Sequence, residues 1–272
     1  MTTQHEHPHK HAHTAGQMAE AAGKWLATLN AEQTVKATFH YMDGERLFWY
    51  YPPMNRHGLA LRDMDVYQRE LALALMSTGL HADANQNAKS IIQHELILGP
   101  LEKEEGAVTF VRDPELYYWT VFGDVGGEDP WGWRVEGHHL SLHYSVWGDK
   151  VIAVTPIFFG ANPAEVRKGP KQGLRFLGGR EDLAIKLMAS FDAGQRSKAV
   201  IHDKAPWDIL SFNSSKHALH DEEGLAGSDM NGTQKEILLA LISDYISQVP
   251  DDVSKARMDS IRDNGLDHFR LV

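Results

Sequence analysis

WGWRVEGHHLSLHYSVW, Trp131 to Trp147, is the stretch on which the fold turns. Side chains of a strand alternate between two faces. Before Gly137 the apolar residues Trp131, Trp133 and Val135 hold odd positions. After it Leu140, Leu142, Tyr144 and Val146 hold even ones. The parity changes at Gly137-His138, and one extra residue there, a β-bulge in a continuous strand, restores a single apolar face. That reading puts Arg134, Glu136, His139, Ser141 and His143 on the polar face and leaves His138 at the bulge or leaning toward the core.

Outward from this stretch, Gly148-Asp149 reads as the turn of a hairpin joining it to Lys150–Phe159. ELYYWTVFG (115–123) and ERLFWYYPP (45–53) are rich in aromatic residues and read as strands, the second running into an extended loop at its prolines. Helical periodicity marks 17–29, 65–76, 82–98, 181–190, 193–201, 233–248 and 251–264. Asn30-Ala-Glu-Gln33 reads as a capping box, and Asn162-Pro163 as the start of another helix. No internal repeat is read, and 211–232 reads as a polar loop. The expectation is an α+β fold, a central antiparallel sheet flanked by helical segments, as one domain over 16–272 behind a disordered histidine-rich tail, 1–15.

Composition narrows the function classes. No cysteine is present, which removes thiolate metal sites, disulfides and a cysteine nucleophile and fits a cytoplasmic location. A net charge of −10 argues against nucleic acid and anionic membranes as partners and leaves a small-molecule substrate or ligand. No run approaches the roughly 18 apolar residues of a membrane span, and the polar N-terminus does not read as a secretory signal. Oligomeric state is not legible.

The histidines of the central stretch are candidate metal ligands, for zinc, iron or copper. His139 and His143 lie four residues apart, about 13 Å along a strand, too far to share an ion. At most two histidines here serve one metal, so His138 and His139 are the proposed pair, with further ligands from Glu136, His94 or Glu95. Glu136 is then a ligand or general base, and Arg134 orients an anionic group. A metal-free alternative has Arg134, His139 and Ser141 holding an anionic substrate. The plainest alternative makes all of them hydrogen-bonding residues of a half-buried sheet. His5-Glu6-His7-Pro8-His9 mimics a zinc motif that works only on a helix, which Pro8 opposes. Glu45-Arg46 and Arg56-His57 read as surface ion pairs, and Arg112-Asp113-Pro114 as a turn. Two functions follow: a metal-dependent enzyme, hydrolytic rather than redox, or a non-catalytic ligand-binding or structural protein.

ERLFW, RHGLALRDM, RDPELYYWTVFG, WGWRVEGHHLSLHYSV, TPIFFGANPAEV and GPKQGLRFL together resemble a largely bacterial family, the domain of unknown function numbered three thousand five hundred. The resemblance runs from about Glu20 to the C-terminus, and its G-H-H-L-S-L block is quite specific. It implies membership and carries no reaction with it. Relatives often have asparagine where this chain has His143, and usually continue beyond the part matching Gly265–Phe269 with an I-E-Y-D strand and an H-x-H pair. The resemblance thus implies a site in which such an extension joins the His138-His139 pair. This chain, ending at Val272, is then a short member, a fragment, or one that completes its site differently.

Overall fold

The computed structural model describes residues 11–107, 109–214 and 223–272. Helix α1 (Ala12–Leu26) begins earlier than its apolar periodicity indicates, so the expected tail does not extend to residue 15. The H-E-x-x-H segment lies outside the described residues. A short helix α2 (Ala31–Ala37) leads into β1 (Thr38–Phe39). Asn30 caps α2 as expected, its side chain accepting from the Gln33 amide at 2.9 Å. ERLFWYYPP is not a strand: a 3-10 turn, Gly44–Leu47, opens an irregular segment that crosses a sheet face. Then come β2 (Leu59–Ala60), α3 (Val66–Thr78) and the long α4 (Ala82–Glu104).

The sheet is completed by β3 (Tyr118–Phe122), β4 (Trp131–Gly137), β5 (Leu140–Trp147), β6 (Lys150–Ala153) and β7 (Ile157–Phe159). Its order is β1-β3-β4-β5-β6, with β2 also on β3 and β7 also on β5. All pairings are antiparallel except β1 with β3.

The parity change at Gly137-His138 has a different cause from the expected bulge. Pairing is regular through Gly137↔Leu140, and His138-His139 are the two turn residues of a tight hairpin. Folding the chain back on itself puts Trp131, Trp133 and Val135 beside Val146, Tyr144 and Leu142, which yields one apolar face without any insertion. That face packs on α1, α3 and α4 through Met18, Trp25, Leu75 and Ile91. Trp133 and Tyr144 stack across it at 4.2 Å, and the Tyr144 hydroxyl donates to the Gly79 carbonyl at 2.6 Å. The opposite face carries Arg134, Glu136, Ser141 and His143, and it is buried too, because the 45–57 segment lies over it. The sheet is therefore covered on both faces here.

Beyond β7 no helix begins at Pro163; the next, α5 (Gly178–Ala189), starts well downstream. It is followed by α6 (Ala193–Ala199), β8 (Leu225–Ala226), α7 (Gly232–Ile246), α8 (Asp251–Asn264) and β9 (Arg270–Leu271). β8 and β9 form a separate two-stranded ribbon, and a second apolar cluster, around Leu187, Phe191, Leu225 and Leu238, sits beneath it.

The elements from α5 to β9 repeat those from α1 to β3, contrary to the sequence expectation, while β4 to β7 have no counterpart among the described residues. Gln33 and Gln68 each occupy the third position of a capping box and bond to one another at 2.9 Å; Gln195 and Gln234 do the same at 3.0 Å. Gln68 Nε2 also donates to the Thr28 carbonyl, and Gln234 Nε2 to that of Ser190. Leu59-Ala60 pair with Trp119 and Tyr118 as Leu225-Ala226 pair with Leu271 and Arg270. The Arg69–Glu115 ion pair has its counterpart in Lys235–Asp267, and Lys36–Asp63 in Lys198–Asp229. LALRDMDVYQRELALAL (59–75) and LAGSDMNGTQKEILLAL (225–241) carry these equivalences.

Candidate functional site

The hairpin turn is pinned from three sides. The Tyr117 hydroxyl donates to the His138 carbonyl at 2.8 Å. Gly137 makes room for that ring, since a Cβ there would lie 2.2 Å from it. The His139 amide donates to the Tyr51 carbonyl at 2.9 Å, and its own carbonyl accepts from Gly160 at 2.8 Å. These bonds hold His139 at φ +57°, a conformation that non-glycine residues adopt rarely.

Helix α4 brings His94 and Glu95 up to this turn, both buried. Glu95 and His138 are hydrogen-bonded through Oε1 and Nδ1. Because a carboxylate only accepts, Nδ1 carries a proton and points it at Glu95. His94 Nε2 donates to the Pro163 carbonyl at 3.0 Å, which leaves Nδ1 unprotonated; that atom is buried and has no partner among the described residues. The rings of His138 and His139 lie 4.0 Å apart. Burial, with the charges of His138, Arg112 and His94 adding to it, holds His139 down at about 3, so it is neutral near pH 7. Burial likewise lowers His94. The result is two neutral imidazoles, His139 and His94, beside the His138–Glu95 pair.

Arg112 sits against the His138 ring, its Nη1 3.3 Å from Nδ1 and 3.4 Å from Nε2. Glu102, from the last turn of α4, fixes it by two bonds of 2.8 and 2.7 Å. Beside this cluster opens a cleft of about 440 Å³ lined by Arg56, Arg62, Glu95, Phe110, Tyr117 and His138.

Arg134 and Glu136 are placed elsewhere, on the face covered by 45–57. Arg134 donates to the carbonyls of Glu45 and Phe48 at 3.0 and 2.9 Å and to the Glu45 carboxylate at 2.6 Å. Glu136 accepts from the Tyr50 amide at 3.0 Å, Ser141 Oγ at 2.8 Å and Arg56 Nε at 3.1 Å. Burial alone would raise Glu136, but His143 and the two guanidiniums beside it more than offset this and keep its carboxyl below the ordinary range. Ser141 and Arg134 are thus occupied by protein partners. Of the residues read as surface ion pairs, Arg56 is internal, its side chain 1% exposed against Glu136, whereas His57 is exposed and bonds to Glu45. Among the described residues no group of three or more histidines and carboxylates converges so as to hold a metal ion.

Sequence reasoning reached His138, His139, His94 and Glu95 and missed Arg112, Glu102 and Tyr117. Arg112 belongs to what reads as a simple turn, and only its position beside His138 reveals it.

Fold and site define an α+β protein with an imidazole–carboxylate cluster at the turn of a doubly covered hairpin. The chain belongs to the family described as protein of unknown function (DUF3500), whose model matches residues 11–272. No curated protein and no solved structure matches it. No helix among the described residues is long and apolar enough to cross a membrane.

Proposed function

We propose that this protein is a metal-dependent enzyme acting on a small molecule, hydrolytic rather than redox, with its centre at the His138-His139 turn. One observation carries the reading. His138 and His94 each give one ring N–H to an oxygen acceptor, the arrangement by which a protein orients the other imidazole nitrogen toward a metal; His94 Nδ1 has no partner among the described residues, and His138 Nε2 faces only Arg112 Nη1 at 3.4 Å, which an ion would displace. Neutral His139 is the third donor. Binding requires at least one ring to rotate, since the three do not converge as they stand. Zinc, iron and copper all suit imidazole. A bound ion of this kind lowers the pKa of its water and polarises a substrate oxygen. The substrate occupies the neighbouring cleft. Glu136 and Arg134 support the site from behind, Glu136 by holding Arg56 at the cleft wall and Arg134 by anchoring the covering segment. The lack of cysteine supports a cytoplasmic location, and the acidic charge supports a small molecule rather than nucleic acid or membrane as partner.

The test is elemental analysis of the chain carrying His5→Ala, His7→Ala and His9→Ala, which removes competing tail ligands. About one metal per chain, lost in His138→Ala, supports the reading. No metal after incubation with zinc, iron and copper overturns it in favour of a second reading, a metal-free ligand-binding protein. That alternative is favoured by the unconverged rings and by the complete internal pairing of Arg134 and Glu136. It expects His138→Ala to lower the melting temperature and remove no metal.

A further inference from the structure

We propose that the groove between α1, β6 and α8 is a second binding site, for a small organic oxyanion, carboxylate or phosphate ester, with Arg257 as its anchor. The groove has a volume of about 800 Å³. Its floor is apolar: Val151, Val154 and Val253 are all buried. Arg257, Lys150 and His11 stand around it.

Arg257 is the informative residue. Its exposure is intermediate, yet among the described residues it has neither a hydrogen-bond acceptor nor a carboxylate partner. A guanidinium stays charged, and withdrawing it from water without a partner is costly. Other arginines of the same intermediate exposure class are paired, Arg56 with Glu136, Arg112 with Glu102 and Arg180 with Asp244. Arg257 interacts electrostatically with Tyr144, but that hydroxyl is committed to Gly79 and burial keeps it protonated, so it supplies no negative charge. His11 also lines the groove, and among the described residues neither of its ring nitrogens has a hydrogen-bond partner. The carboxylates of the rim do not answer Arg257. Asp259 is taken by Lys255 and Arg262, and Asp263 is exposed.

An oxyanion satisfies Arg257 through its planar fork of donors, and an apolar body on the same molecule covers the valine floor. The groove lies between the start of α1, strand β6 and α8, so an occupant bridges the N-terminal residues, the main sheet and the second unit.

Isothermal titration of the full chain with phenylacetate and with phenyl phosphate tests this. At least one probe should bind saturably, and the preferred one identifies the oxyanion. Arg257→Gln should weaken it about tenfold or more, in keeping with loss of a charge-assisted pair. Lys150→Gln should weaken it less, and His138→Ala should leave it unchanged. Unliganded Arg257→Gln should melt at or above the wild-type temperature, since it removes an unpaired charge partly withdrawn from water. The proposal falls if neither probe binds at millimolar concentration, if Arg257→Gln binds as the wild type does, or if His138→Ala abolishes binding. It also falls if Arg257→Gln does not fold, which would make Arg257 a structural residue.

Discussion

His138 and Glu95 are 43 residues apart in the chain and share a buried hydrogen bond from imidazole Nδ1 to carboxylate. That bond decides which nitrogen of His138 is available. Glu95→Gln keeps an acceptor but removes its charge and its fixed tautomeric preference. Zinc affinity should fall about 10–100-fold while the melting temperature changes little. A zinc titration of the two proteins measures this, and equal affinities would show that Nε2 of His138 is not a ligand.

Arg134 and Glu45 test support against chemistry. Arg134→Ala leaves the Glu45 carboxylate, which is only 14% exposed, with His57 alone, and strands two backbone carbonyls. Breaking a buried pair from one side costs about 3–5 kcal/mol. The urea midpoint should drop accordingly, and metal content per folded chain should stay as in the wild type. Loss of metal at unchanged stability would instead place Arg134 in the site.

His143 should make the fold sensitive to acid. Burial lowers its pKa in spite of Glu136, whose Oε1 lies 3.6 Å from Nε2. An unfolded chain therefore binds a proton below about 6.5 that the folded chain refuses. Stability is unaffected by this group above that pH and declines as pH falls toward the folded pKa, by up to about 1.4 kcal/mol per unit. Urea melts at pH 7.5 and 5.5 should show His143→Asn losing less stability than the wild type over the interval. An equal loss in both proteins would contradict this.

The paired capping glutamines predict matched effects in the two halves. Gln68→Leu leaves the Asp65 amide and the Thr28 carbonyl without their side-chain partner, and Gln234→Leu does the same to Asn231 and Ser190. Each should destabilise by about 1–3 kcal/mol. A loss at one position only, in chemical denaturation, would show that the halves do not share this device.

Legibility followed the range of the interactions. The helices and strand β3 are written in local periodicity, and the caps at Asn30 and Asp65 in short motifs. The parity change at Gly137 is visible in the sequence too, but alternation alone does not distinguish a bulge from a tight turn, because Gly-His-His lacks the Asn-Gly or Asp-Gly signal of such hairpins. Burial of Arg134 and Glu136 was hidden for another reason. The 45–57 segment that covers them has no regular structure, so no periodicity announces that the polar face is enclosed. His94 and Glu95 could be named as candidates, yet their meeting with the turn depends on the docking of α4, which is a tertiary fact. The repeat escaped notice because its matching residues are spread over segments separated by unequal insertions, while the ion pairs that confirm it exist only in three dimensions.

That repeat provides the molecule with its own control experiment. Tyr117 and Phe269 hold corresponding positions, their carbonyls accepting from Leu61 and Gly227 at 3.0 and 2.8 Å, but only the tyrosine reaches the histidine turn. Perturbations shared by both halves report on the scaffold. Those confined to the first half report on the chemistry laid over it. Comparing each substitution with its twin separates the two within a single chain, under one set of solution conditions.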